Sequence, residues 1–288
     1  MVAALSPDAL EALLVFYRDA GIDCAVGDIA VDRFAESDVQ PVRRSADQVS
    51  AASGVVIRGQ EGVGSPQRPA AITAVGAPPA PEAALSAARE AASSAQDLDA
   101  LLRLVESFDG CALKATASRT VFEDGTRGAP IMFVGEAPGR EEDLEGKPFV
   151  GRSGQLLDRM MGAIGLDRSG AYIANVIPWR PPGNRTPTPQ EIAICLPFIT
   201  RQIELAQPKL LVCLGSPAMQ TLLGIKDGIM RARGRVVTYR VGAREIPALA
   251  TLHPAYLLRS PIAKRQAWRD FLTIRSILDD HGTGGTKR

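Results

Sequence analysis

Three segments of this chain place residues capable of chemistry at points where the chain turns. The first is Gly135-Glu136-Ala137-Pro138-Gly139, which interrupts the short apolar run Ile131 to Val134 and leads into Glu141, Glu142, Asp143 and then Pro148-Phe149. The second begins at Asn175, late in the apolar stretch AYIANVI, and continues through a Pro-rich segment to Asn184 and Arg185. The third is His253, one of 2 histidines, which directly follows IPALATL and precedes Pro254. A carboxylate, two amides, an aromatic ring and an imidazole could together enclose a flat polar heterocycle. An Asn side chain offers a donor and an acceptor to a base edge, and a Phe ring stacks on its face. Glycines let the backbone approach such a ligand closely. Taken singly, each residue has a plainer role: Phe149 in core packing, the asparagines in local turn bonds, His253 as a surface or capping residue. Glu141, Glu142 and Asp143 would be a solvated helix start, where acids suit the dipole. Residue types alone therefore point to a pocket, not to a reaction.

For these segments to meet, the strands before them must lie side by side and run the same way. Short apolar runs bounded by Gly and Pro read as buried strands at 131–134, 171–177, 209–215 and 246–253, with a further strand at VVTYRV, 236–241. Helical patterns are expected at 84–108, from Ser153 as N-cap to Gly165, from Pro189 to about Ala206, over SPAMQTLLG, and over 262–279. Strands alternating with helices indicate an α/β three-layer sandwich, a mostly parallel central sheet with helices on both faces. Ligands bind such sheets at the carboxyl ends of strands, so all three segments belong to one edge.

The rest of the chain divides by composition. Residues 1–37 form an N-terminal helical segment, opening at Ser6-Pro7-Asp8 with Leu10, Leu13, Leu14 and Tyr17 at helical spacing. Residues 38–81, rich in Ala, Pro, Gly and Ser, read as a flexible linker, residues 82–280 as the α/β domain, and residues 281–288 as a disordered tail. The formal net charge of +1 conceals a split: residues 1–81 carry 6 Lys/Arg against 10 Asp/Glu, which leaves 27 against 22 for the remainder. A mildly basic domain is compatible with nucleic acid without arguing for it. No apolar run reaches the roughly 18 residues of a membrane span, and the N-terminus lacks the basic start of a secretory signal. Cysteines 24, 111, 195 and 213 form no CxxC pair, so a reduced, cytoplasmic protein is expected.

Four ordered motifs carry a resemblance. GEAPGREED (135–143), GKPFVGRSGQLLD (146–158), NVIPWRPPGNRTPTPQE (175–191) and HPAYLLRSP (253–261) closely resemble the family 4 uracil-DNA glycosylases, over about residues 105–280. The resemblance implies the uracil-DNA glycosylase fold and hydrolysis of the bond between uracil and deoxyribose. It implies that Glu136, Ala137 and Pro138 lie against the base and that Glu142 holds their loop. Phe149 would stack on the flipped uracil, Asn175 would read its Watson–Crick edge, Asn184 would line the site and His253 would face O2. Glu136, Asn175 and His253 are the expected catalytic set. Arg180, Leu257, Leu258 and Arg259 would contact DNA, with the last three probing the duplex and filling the gap. The implied partner is uracil-containing DNA, single- or double-stranded, bound by a monomer.

The family usually carries a four-cysteine iron–sulfur cluster, and here the sequence departs from it. Cys111 aligns with the second member of the first cysteine pair, while the position three before it is Phe108. Trp179 stands where the third ligand belongs, and Cys195 follows 16 residues later, at the place of the fourth. Two thiolates do not make a cluster site. The expectation is therefore no cofactor, with Phe108 and Trp179 filling the space. Two other functions were weighed. A non-catalytic or covalent uracil-DNA binder would need a reactive residue after position 224, and KDGIMRARGRV offers no His. A phosphate-handling enzyme would need the Lys and Ser/Thr of a phosphate loop, which GEAPG lacks.

Overall fold

The side chains of three adjacent five-residue strands are buried without exception, and that burial organises the molecule. The structure is a computed structural model that describes residues 81–282. The expected N-terminal helical segment, nearly all of the expected linker, Cys24 and residues 283–288 lie outside the described residues. In chain order the elements are α1 (Pro81–Ser94), α2 (Leu98–Ser107), β1 (Asp124–Gly125), β2 (Ile131–Gly135), α3 (Arg140–Glu145) and α4 (Arg152–Gly162). They continue with β3 (Ala171–Asn175), α5 (Pro189–Ala206), β4 (Leu210–Leu214), α6 (Ser216–Leu223), α7 (Ile229–Ala232), β5 (Val237–Val241), β6 (Arg244–Thr251), α8 (Pro254–Arg259) and α9 (Lys264–Gly282).

The strands form one sheet in the order β1-β3-β2-β4-β6-β5. The four central strands are mutually parallel, and β1 and β5 pair antiparallel at the two edges. Strand side chains alternate between faces, so one sheet needs two cores. Met132, Val134, Tyr172, Ala174, Leu211 and Cys213 face a core completed by Ala88, Leu101, Phe198 and Met219 from α1, α2, α5 and α6. Ile131, Phe133, Ile173, Leu210 and Val212 face a second core completed by Leu157 and Met161 of α4 and Phe271 and Ile274 of α9. There the rings of Phe133 and Phe271 stack with centroids 6.1 Å apart. Each large apolar side chain so buried stabilises the fold by roughly 1.5–3 kcal/mol. The result is the expected three-layer sandwich.

Three local expectations are corrected. The helix expected over 84–108 is two helices: the Ser93 and Ser94 hydroxyls donate to the carbonyls of Glu90 and Ala91, and Asp97 then caps α2 by accepting from the Ala100 amide at 2.7 Å. Ser153 does not cap α4, which begins one residue earlier with Gly151 as its N-cap. The Gly151 amide is taken instead by the Glu142 carboxylate at 3.0 Å, so a tertiary contact does the work of a local cap. The final helix runs to Gly282, so the first two residues of the expected tail are helical. By contrast α5 starts where Pro189 says it should. Thr188 and Glu191 form a reciprocal capping box, with bonds of 3.2 and 2.7 Å.

Candidate active site

The register of the sheet places Gly135 directly beside Asn175, so the ends of β2 and β3 coincide. The two chains continue together past the sheet, with Val176 and Ile177 donating to the carbonyls of Gly135 and Glu136 at 2.9 and 3.0 Å. A Cβ on residue 135 would lie 2.5 Å from Asn175 Oδ1 and 2.6 Å from the Phe149 ring. Only glycine lets the amide and the ring close over this strand end.

The acids that follow are not a solvated helix start. Glu142 and Asp143 are buried and only Glu141 is exposed. A buried carboxylate must be matched by donors. Glu142 accepts from the amides of Gly139, Val150 and Gly151 at 3.0, 3.1 and 3.0 Å. Asp143 accepts from the amides of Ser118 and Arg119 at 2.8 and 3.3 Å. Glu142 thus staples the loop after β2 to the start of α4.

Phe149 sits between these contacts with φ of 55°, a conformation that costs a bulky residue and has to be imposed by its surroundings. Two features impose it here. Arg168 donates to the Phe149 carbonyl while its Nε bonds Asp158 at 2.8 Å. Gly154 in the first turn of α4 lets that carbonyl approach, since a Cβ there would come within 1.6 Å of the oxygen. The Phe149 ring faces the His253 ring, with centroids 5.5 Å apart and planes inclined by 29°.

His253 follows β6 and is the N-cap of α8. Its Nδ1 accepts from the Ala255 amide at 3.1 Å, so the neutral ring carries its proton on Nε2. Burial, reinforced by the Arg259 charge and opposed by Glu142, lowers its pKa to about 4. The ring is therefore a neutral donor at physiological pH. Burial raises the Glu136 pKa above the ordinary carboxylate value, and Oε1 of this side chain is enclosed without a hydrogen-bond partner.

A cavity of about 210 Å³ brings together Glu136, Ala137, Pro138, Glu142, Phe149, Asn175, Asn184 and His253. All eight residues expected against the base line it. Ser153, Arg185, Thr186 and Ala255 line it too and were not anticipated. Arg185 and Thr186 extend the Pro-rich segment of Asn184, and Ser153 was read only as a cap. Asn184 has φ of 55° in a one-turn helix, and its Oδ1 accepts from Arg180 Nε at 2.6 Å. Arg180 is outside the cavity wall and orients that amide.

One expected DNA contact is overturned. Leu257 is 1% exposed and packs with Leu156, Leu252, Ala263 and Ala267, so it is a core residue and cannot enter a duplex. Leu258 is half-buried and Arg259 exposed at the end of α8. Helical geometry explains the difference, because successive residues of a short helix face different ways.

The four positions of the implied iron–sulfur cluster also come together. Cys111 and Cys195 are buried, and a hydrogen bond between their side chains lowers the Cys111 thiol pKa and raises that of Cys195. The Phe108 ring meets Phe198 edge-on at 5.1 Å. Trp179 is 1% exposed, and its Nε1 donates to Thr120 Oγ1 at 3.2 Å. Two thiols beside two packed aromatic rings do not fit a four-thiolate cluster.

A family model described as the uracil DNA glycosylase superfamily matches residues 122–272. The chain is 40% identical over 186 residues to a type-4 uracil-DNA glycosylase of Archaeoglobus fulgidus, covering 63% of this chain and 94% of that protein. It is 42% identical over 181 residues to its counterpart from Thermotoga maritima, covering 62% of this chain and 93% of that protein. A third, from Saccharolobus solfataricus, is 37% identical over 187 residues, 63% of this chain and 87% of that protein.

Proposed function

This chain belongs to the uracil DNA glycosylase superfamily, and we propose that it excises uracil from DNA by hydrolysing the N-glycosidic bond, leaving an abasic site for base-excision repair. One observation carries the reading: a single cavity holds an aromatic ring, a buried amide, a neutral imidazole donor and a partnerless carboxylate.

The base must first leave the stack, at a cost of a few kcal/mol that is smallest for mispaired or single-stranded uracil. Phe149 then stacks on its face, and Asn175 pairs with its Watson–Crick edge, accepting from N3 and donating to O4. As the bond breaks, the sugar becomes oxocarbenium-like and negative charge gathers on the departing base. The Nε2–H of His253, set against O2, stabilises that anion in the way of an oxyanion hole. The Glu136 carboxylate, on the sugar side, orients the attacking water or stabilises the sugar cation. Glu142 acts through the loop it staples. The substrate is uracil-containing DNA, single- or double-stranded, and the enzyme works as a monomer in the cytosol.

The activity is tested with a labelled oligonucleotide containing one uracil. Full-length protein should generate an alkali-labile site at that position and none in the thymine control. Equal, background cleavage of both strands would contradict the reading.

The proposal includes the absence of an iron–sulfur cluster, supported by the thiol pair and the two aromatic rings at the ligand positions. Protein purified without exposure to air should contain well under one iron per chain and lack thiolate–iron absorbance. Stoichiometric iron would overturn this part alone.

A further inference from the structure

We propose that a second cavity, continuous with the base pocket, is a track for the phosphodiester backbone of the uracil-bearing strand, gripped by Arg140, Arg152 and Arg259. This surface rests on the glycosylase reading for its ligand, and it names residues that the base-binding set does not include.

The cavity has a volume of about 460 Å³, and its wall shares Gly139, Glu142, Ser153, Asn184 and Ala255 with the base pocket. A nucleotide whose base occupies the pocket therefore has its sugar and phosphates at this groove. The three arginines come from three different elements, Arg140 and Arg152 as the first residues of α3 and α4 and Arg259 as the last of α8. All three are exposed, and none forms an ion pair with a described residue. Elsewhere on the surface Arg168, Arg185, Arg201 and Arg233 are each held by a carboxylate.

Their placement is the stronger argument. The start of a helix is its positive end and disfavours a cation, yet Arg140 and Arg152 both occupy such starts with no local compensation. Positions that break a local rule without internal compensation are expected where function requires them. A polyanion supplies what the protein withholds. Of the two carboxylates in the groove, Glu142 faces three backbone amides, so Glu141 is the one left exposed to oppose an anion. Leu258 adds an apolar ledge at the Arg259 end. Backbone contacts of this kind position a strand without reading its sequence.

The test measures binding of a uracil-free single-stranded oligonucleotide by fluorescence anisotropy across a salt series. Arg140→Ala, Arg152→Ala, Arg259→Ala and the triple variant are compared with Arg89→Ala, an exposed arginine of α1 outside both cavities. Each groove variant should bind several-fold more weakly whatever the sequence. The triple variant should lose about 2 from the slope of log affinity against log salt, since a single-stranded contact contributes roughly 0.7. Arg89→Ala should match the parent. Melting temperatures of the first two variants should stay level or rise, because a cation at a helix start is removed; a purely structural role would lower them. Unchanged affinity and slope in the triple variant would overturn the proposal. Binding that depends on these arginines in a protein that releases no uracil would overturn the glycosylase reading while supporting the groove.

Discussion

His253 is fixed by a single backbone bond to Nδ1, and that bond decides its chemistry. With Nδ1 occupied, the ring offers Nε2–H and stays neutral down to about pH 4. The pH dependence follows with a definite sign. Because the folded value lies below the free value of 6.5, the associated stability is fully present above pH 6.5 and is lost as pH falls through about 4. Excision should therefore show no inflection near pH 6.5. Its acid limb should instead follow Glu136, whose pKa burial raises, and should move or vanish in Glu136→Gln. A rate that rises or falls through pH 6.5 in the parent, and is flat in His253→Ala, would contradict the neutral-donor role. At this scale the sequence was informative in kind and blind in detail. The residues that line the cavity were legible from their loops. The burial of Glu142 and Asp143 was not, because it depends on amides supplied by residues 118, 119, 150 and 151.

Elements were legible where one rule acts alone and obscure where tertiary contacts intervene. Buried parallel strands announced themselves as apolar runs, and α5 was marked by its own capping box and Pro189. The start of α4 was misplaced because its amide is capped from Glu142, eight or more residues away in sequence. The short helix α8 misled for a different reason. A run of two leucines and an arginine suggests one probing tip, whereas the helix turns Leu257 into the core and leaves Arg259 outside. Leu257→Ala should therefore cost about 2–5 kcal/mol of stability through the cavity it leaves, measured by denaturant unfolding. It should leave the salt dependence of DNA binding unchanged. A variant of full stability that fails to hold DNA would restore Leu257 as a duplex wedge.

For the whole molecule, two cores on opposite faces of one sheet hold four parallel strand ends in register, and the site is built from what those ends carry. The glycosylase relatives match over nearly their full length, so the described domain is the shared machine. Where those relatives' family usually has a cluster, this chain has an aromatic and thiol core around Phe108, Trp179, Cys111 and Cys195. That core joins α5 to the segment before β1, a task met here by dispersion and burial instead of metal–thiolate bonds. The most direct measurement of the central claim is the free uracil released in a single turnover by the parent, Asn175→Ala and His253→Ala at saturating enzyme. The parent should release one uracil per strand, and each variant, with an unchanged melting temperature, should slow release by roughly 10²–10³-fold, the usual loss for an oxyanion donor. Release at the parental rate by either folded variant would show that the cavity at the strand ends is not where uracil is cut from DNA.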